Sequence, residues 1–194
     1  MTRAIPVSPL FILIRNAALF FASLSSVRFE TETDTALVKE KAAYYFDLFG
    51  NTILRLAYSY LHNTEDSEDV LQETLIQFIR SAPRFQNDRH AKAWLMRVTA
   101  NLSKNRIGYN KTRLTDELND ELIAEEREDL SFVWQAVKEL PLKQREVIHL
   151  FYQEGYSTAE IARILSRNES TVRSNLKRGR DALRTILKEA YDFE

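Results

Sequence analysis

The 194-residue chain has no cysteine, which excludes disulfides and every zinc site built on thiolates. It has only three histidines, His62, His90 and His149, and none stands in a His-x-x-x-His or Glu-x-x-His spacing, so no metal site is expected. His149 lies in an apolar helical run and is expected to be structural. Four scattered glycines cannot build a phosphate-cradling loop. No cofactor and no substrate is therefore expected, and the chain does not read as an enzyme. Long apolar runs are missing as well. Leu10–Ile14 and Ala17–Ala22 are split by Arg15-Asn16 and follow Pro6 and Pro9, too short and too broken for a membrane span. They match a secretory signal only weakly. Residues 1–35 are expected to form a poorly ordered extension or an over-long start, with a loosely docked helix as the alternative. The next methionine is Met96, so a later start would need another codon.

Net charge excludes nothing, because 27 basic residues balance 28 acidic ones. Its distribution is more telling. Between Arg80 and Arg113 lie Arg80, Arg84, Arg89, Lys92, Arg97, Lys104, Arg106, Lys111 and Arg113, against one acid, Asp88. Asp116–Asp129 carries acids opposed only by Arg127, and Arg163–Lys188 is basic again apart from Glu169 and Asp181. Two basic stretches around an acidic one predict two nucleic-acid-facing modules joined by a segment that avoids DNA.

The second basic stretch has a local architecture. Ser157 is a good N-cap with Glu160 as its capping-box partner. Ile161, Ala162 and Leu165 follow at helical spacing, and Ser166-Arg167-Asn168 breaks the pattern. A second helix from Ser170 buries Val172, Leu176, Leu183 and Ile186 and presents Arg173, Lys177, Arg180 and Arg184. A short amphipathic helix followed by a basic one is the pattern of a DNA-reading helix-turn-helix.

The rest of the chain also reads as helix. Ala42–Leu61 repeats Tyr45, Phe46, Phe49, Ile53, Leu56, Ala57, Tyr60 and Leu61 at helical spacing. Asn63-Thr64-Glu65-Asp66 closes that helix and caps one running from about Ser67 to Ala82, which buries Val70, Leu71, Leu75, Phe78 and Ile79 and stops before Pro83. A polar loop, 85–89, leads to a third helix with Trp94, Leu95, Val98 and Leu102. Residues 109–129 read as an acidic linker, with a helical stretch around Leu118–Ile123. A second domain opens with Phe132, Val133, Val137 and Leu140, stops at Pro141, and continues with Gln144–Phe151 and a cap near Gly155. The fold class is all-α, with two helical domains at 36–108 and 130–194.

Four motifs resemble one family. Asp66-Ser67-Glu68-Asp69-Val70-Leu71-Gln72-Glu73 is similar to the Asp-Ala-Glu-Asp-Val-Val-Gln-Glu signature of region 2 in extracytoplasmic-function (ECF) sigma factors of the sigma-70 family. Trp94-Leu95-Met96-Arg97-Val98-Thr99-Ala100-Asn101 resembles that family's Trp-Leu-x-Arg-Ile-Ala-x-Asn stretch. Leu140-Pro141-Leu142-Lys143-Gln144-Arg145-Glu146-Val147 resembles the opening of region 4, and Thr171-Val172-Arg173-Ser174-Asn175-Leu176-Lys177-Arg178 its recognition helix. The match spans about 44–187, in order.

The resemblance implies binding to core RNA polymerase and promoter DNA in the bacterial cytoplasm, and commonly an anti-sigma factor as a further partner. It places polymerase docking on Asp69, Gln72, Glu73 and Gln77, expected to share a polar face opposite the core. It places capture of a flipped base of the -10 element on Phe85, Gln86, Asn87 and Asp88. Arg97, Asn101, Lys104 and Asn105 are expected to follow that strand. Trp94 is expected in the core rather than as a stacking platform. The -35 element falls to Thr171, Arg173, Ser174, Asn175, Lys177, Arg178 and Arg180, with Lys177, Arg180 and Arg184 as phosphate anchors.

Departures limit these transfers. Arg167 stands where the family is usually apolar, which predicts a loosened or redirected recognition helix. Asn175 replaces a common arginine. Gly179 replaces a usual alanine, at about 1 kcal/mol in mid-helix, and suggests close packing. Arg106-Ile107-Gly108 lacks the family's Asp-x-Leu-Arg ending. Two other classes compete: an autonomous helix-turn-helix regulator, which would need a ligand or dimer domain that the first domain does not display, and a signalling protein tethered through Leu10–Ala22.

Overall fold

The computed structural model describes residues 32–113 and 131–191, with side chains from 37 to 110 and from 132 to 190. The stretch around Leu118–Ile123 and nearly all of the N-terminal extension lie outside these residues. The chain divides into two compact units, Met1–Glu121 and Leu122–Glu194. Among the described residues no helix is long and apolar enough to cross a membrane.

The first unit contains α1 (Glu32–Leu61), α2 (Thr64–Ser81) and α3 (Asp88–Arg113). Helix α1 begins ten residues before the apolar repeat at Ala42, and α3 runs on through 109–113, which the sequence reading gives to the linker. His62, at φ +53°, ends α1 in the left-handed region. Asn63 then caps α2, its Oδ1 accepting from the Asp66 backbone N–H at 2.8 Å. Ala82, at φ +39°, closes α2 before Pro83. Tyr45, Phe46, Phe49, Ile53 and Leu56 of α1 pack with Val70, Leu71, Leu75, Phe78 and Ile79 of α2 and with Leu95 and Met96 of α3 in the buried core. Two buried hydroxyls are satisfied within their own helices: Thr74 Oγ1 donates to the Val70 carbonyl and Thr99 Oγ1 to that of Leu95, both at 2.8 Å.

The second unit contains α4 (Ser131–Glu139), α5 (Leu142–Ile148), α6 (Thr158–Leu165) and α7 (Glu169–Tyr191). Helix α5 runs on as a π-helical turn, His149–Gln153, and Gly155 leaves it at φ +72°. Within that turn His149 is buried, with its Nε2 3.6 Å from Glu154 Oε1 and its ring edge-on to Trp134, which agrees with a structural role. Arg145 Nη1 donates to the Lys138 carbonyl at 2.6 Å, tying α5 to the end of α4. Gly179 explains its own presence: a Cβ there would stand 2.9 Å from Ile148 Cγ1, so α7 crosses α5 closer than any side chain allows.

Candidate nucleic-acid and polymerase interfaces

A groove of about 600 Å³ runs between α2 and α3, lined among others by Asp69, Gln72, Glu73 and Ile76 on one side and by Asn105, Arg106 and Tyr109 on the other. It gathers three of the residues predicted to dock polymerase; Gln77, half-buried on the same helix, is not part of it. Asp69, Gln72 and Glu73 share the groove rather than a fully exposed face. At 3.6 residues per turn Gln72 sits about 100° from Glu73, on the side turned toward α3. It is only 9 % exposed, and its Nε2 has no hydrogen-bond partner.

The groove also bears on two sequence expectations. Arg106, counted there with the nucleic-acid-facing cations, donates from Nη2 to Asp69 Oδ2 at 2.9 Å, with Nη1 3.5 Å from Asp66 Oδ1. Asn110 Nδ2 donates to Asp66 Oδ2 at 2.8 Å. Asn105, predicted as a -10 contact, lines the groove with the docking candidates.

The predicted -10 loop is tightly framed. Phe85 does not project: it is half-buried, its ring centroid 6.2 Å from Phe78 in a stacked arrangement and 5.9 Å from both Tyr45 and Trp94. This ring cluster replaces a loop free to swing. Trp94 is half-buried within the cluster rather than sealed in the core. Asn87 caps α3, with its Oδ1 accepting from His90 N–H at 2.9 Å. Asp88 accepts from the Tyr44 hydroxyl at 2.9 Å. That bond, more than burial, raises the Tyr44 pKa above 10.0 and leaves the phenol as donor. Gln86 is exposed at the tip, and Arg97 and Asn101 are exposed along α3. Lys104 is half-buried, its Nζ 5.9 Å from the Tyr60 ring centroid.

In the helix-turn-helix, Ser157 and Glu160 close the expected capping box. Ser166 takes φ +52° at the turn, and Thr158 Oγ1 donates to Glu169 Oε1 at 2.7 Å across it. Thr171, Arg173, Ser174, Lys177, Arg178 and Arg180 are all exposed on α7. Arg173 Nη1 lies 3.4 Å from Glu169 Oε1. Asn175 is the exception. It is 7 % exposed, because it falls on the buried stripe Val172, Asn175, Leu176, Gly179. That i, i+3, i+4, i+7 spacing was legible, but the polar side chain masked it. Arg167 is likewise not a source of looseness: its Nη2 lies 2.5 Å from Glu146 Oε1, so the turn is tied to α5.

A three-helix unit and a separate helix-turn-helix unit with a basic recognition helix define a two-domain, all-helical DNA-reading protein. Residues 46–113 match Sigma-70 region 2, and residues 133–183 match Sigma-70, region 4. The ECF RNA polymerase sigma factor SigM of Mycobacterium tuberculosis is 32% identical over 137 residues, covering 69% of this chain and 70% of that protein. SigW of Bacillus subtilis, also an ECF RNA polymerase sigma factor, is 30% identical over 162 residues, covering 74% and 87%. Among solved structures, the sigma factor RpoE of Bartonella quintana, in complex with the anti-sigma factor NepR, shares the fold at TM-score 0.64 and 21% identity, over 75% of this chain and 96% of that one. CnrH, in complex with the cytosolic domain of CnrY, does so at 0.59 and 22%, over 90% and 98%. The chain belongs to the ECF RNA polymerase sigma factors of the sigma-70 family. It is a transcription initiation factor that acts in promoter recognition.

Proposed function

We propose that this sigma factor docks on core RNA polymerase through the α2–α3 groove, reads the -10 element with the loop before α3, and reads the -35 element with α7. The observation that carries the docking assignment is Gln72. It lies largely buried at the wall of the groove with its amide nitrogen unpaired, so a partner that inserts between α2 and α3 could relieve a costly unmade hydrogen bond. Glu73 beside it suits a basic partner helix, while Asp69 is held by Arg106 across the groove and Gln77 lies at the margin.

The -10 contacts are Gln86 at the loop tip, Asp88 beside it, and Arg97, Asn101 and Lys104 along the strand; Asn87 and Phe85 hold the loop in shape. Arg173, Ser174 and Arg178, with Thr171, face the -35 bases, while Lys177, Arg180 and Arg184 meet phosphates. Asn175 supports the helix from inside. The functional modules are α1–α3 and the region from 130 onward, with 114–129 as the connection and 1–31 as an extension. The protein works in the bacterial cytoplasm, where polymerase is, and performs no bond chemistry itself. An anti-sigma factor is a further partner, in keeping with the complex of RpoE with the anti-sigma factor NepR.

Run-off transcription with purified core polymerase tests this reading. Promoters transcribed from a genomic library only when the protein is added support it; a footprint on duplex DNA by the protein alone, with no transcript, favours an autonomous regulator. Gln72→Ala combined with Glu73→Ala is expected to weaken core binding while leaving the -35 footprint of cross-linked holoenzyme unchanged. Equal loss of both would sink the docking assignment.

A further inference from the structure

We propose that the -10 base site extends onto α1, where the ring of Tyr44 gives an unpaired nucleobase a face to stack on and its hydroxyl aims the Asp88 carboxylate; this rests on the -10 reading above. Tyr44 is 51% exposed, although its neighbour Tyr45 is buried at 8%. Exposure alone says little, since single exposed rings are common; what sets Tyr44 apart is that its hydroxyl and its ring are both held against the candidate loop.

Its position is fixed from two directions. The Tyr44 hydroxyl bonds Asp88, 44 residues away, at the first turn of α3. The ring meets Tyr45 edge-on at 5.2 Å, and Tyr45 in turn meets Phe85 of the loop at 5.9 Å. A chain of rings thus runs from the exposed surface of α1 into the loop and on to Trp94, 5.9 Å beyond Phe85. Phe85 and Trp94 are engaged with one another and with Phe78, so the stacking surface this loop lacks is supplied by Tyr44.

The chemistry is complementary. Every base has a π-face, and an aromatic side chain stacks on it without regard to sequence. Sequence choice comes from the carboxylate, which only accepts and so favours a base offering an amino group. With one Asp88 oxygen engaged by the Tyr44 hydroxyl, the carboxylate is held in one orientation while the other oxygen stays available.

The test uses holoenzyme assembled from core polymerase and the full chain. Fork-junction DNA randomised through its single-stranded -10 segment is selected with the native protein, and the selected strand is used as the probe. Tyr44→Ala is expected to weaken fork-junction binding roughly 5- to 150-fold, the value of one stacked base, with core binding and helix content unchanged. Tyr44→Phe keeps the ring: it should retain most of the affinity yet relax the base preference, and Asp88→Asn is expected to do the same. Fork binding by Tyr44→Ala within twofold of native overturns the proposal, and so does an equal loss in Tyr44→Phe and Tyr44→Ala. If the native holoenzyme selects no preferred strand, the -10 reading fails, and this inference with it.

Discussion

The guanidinium of Arg167 stands 2.5 Å from the carboxylate of Glu146, whose side chain is wholly shielded from water. A turn residue is thereby joined to the middle of the preceding domain helix. Removing one member of a buried pair leaves an uncompensated charge, at about 3–5 kcal/mol, whereas replacing both with apolar residues is often neutral. Arg167→Leu is expected to destabilise the second unit by at most that amount, because Glu146 keeps its other interactions. The double variant Arg167→Leu with Glu146→Leu should recover most of the loss in urea denaturation followed by tryptophan fluorescence.

Gly179 makes a second, opposite-signed experiment. Alanine gains about 1 kcal/mol of helix propensity over glycine. Its Cβ would meet Ile148 at 2.9 Å, and overpacking of this kind costs about 1–3 kcal/mol. Gly179→Ala should therefore destabilise on balance. In an Ile148→Ala background, which lacks both Cγ1 and Cδ1, Gly179→Ala should cost less than it does alone, which thermal melts of the single and double variants can check.

Alkaline pH should weaken the first unit. Burial, then the charge of Asp88, raises the Tyr45 pKa above 10.0, and Tyr44 is raised by its bond to Asp88. A group whose folded pKa is raised holds its proton longer when native, so its contribution is complete below pH 10 and disappears as pH climbs through the folded value. Midpoints of urea unfolding are expected to fall above pH 10, and less steeply when Tyr44 and Tyr45 are both phenylalanine. An identical fall in that variant would argue against the assignment.

On α7, base reading and phosphate anchoring should separate by salt. Arg173→Ala is expected to cost about 1–3 kcal/mol on the preferred -35 sequence and to broaden the sequences accepted. Lys177→Ala should leave preference intact and lower the salt dependence of holoenzyme binding by about one unit of log–log slope. Anisotropy titrations at several salt concentrations distinguish the two.

Local signals were the legible ones. Asn63 before α2 and Ser157 with Glu160 announce helix starts because a cap needs only its next three residues. The apolar faces of α1 and α2 could be listed from spacing alone, as could the exposed arginines of α7. The burial of Asn175 is hard to read because its polarity masks its spacing, and that of Gln72 because a cleft between helices hides a residue that a lone helix would expose. Pairings such as Tyr44 with Asp88 or Arg106 with Asp69 join distant segments and exist only after the helices pack. The π-helical turn at His149–Gln153 has no sequence signature of this kind.

The close crossing at Gly179 has a mechanical meaning. Helix α7 is a rod of 23 residues with its crossing point ten residues from the DNA-facing end. At 1.5 Å per residue that arm is about 15 Å long, so a tilt of about 10° at the crossing sweeps the tip through about 2.6 Å. The spacing between stacked bases is about 3.4 Å. A tilt of that size at the pivot is therefore close to the difference between addressing one base pair and its neighbour.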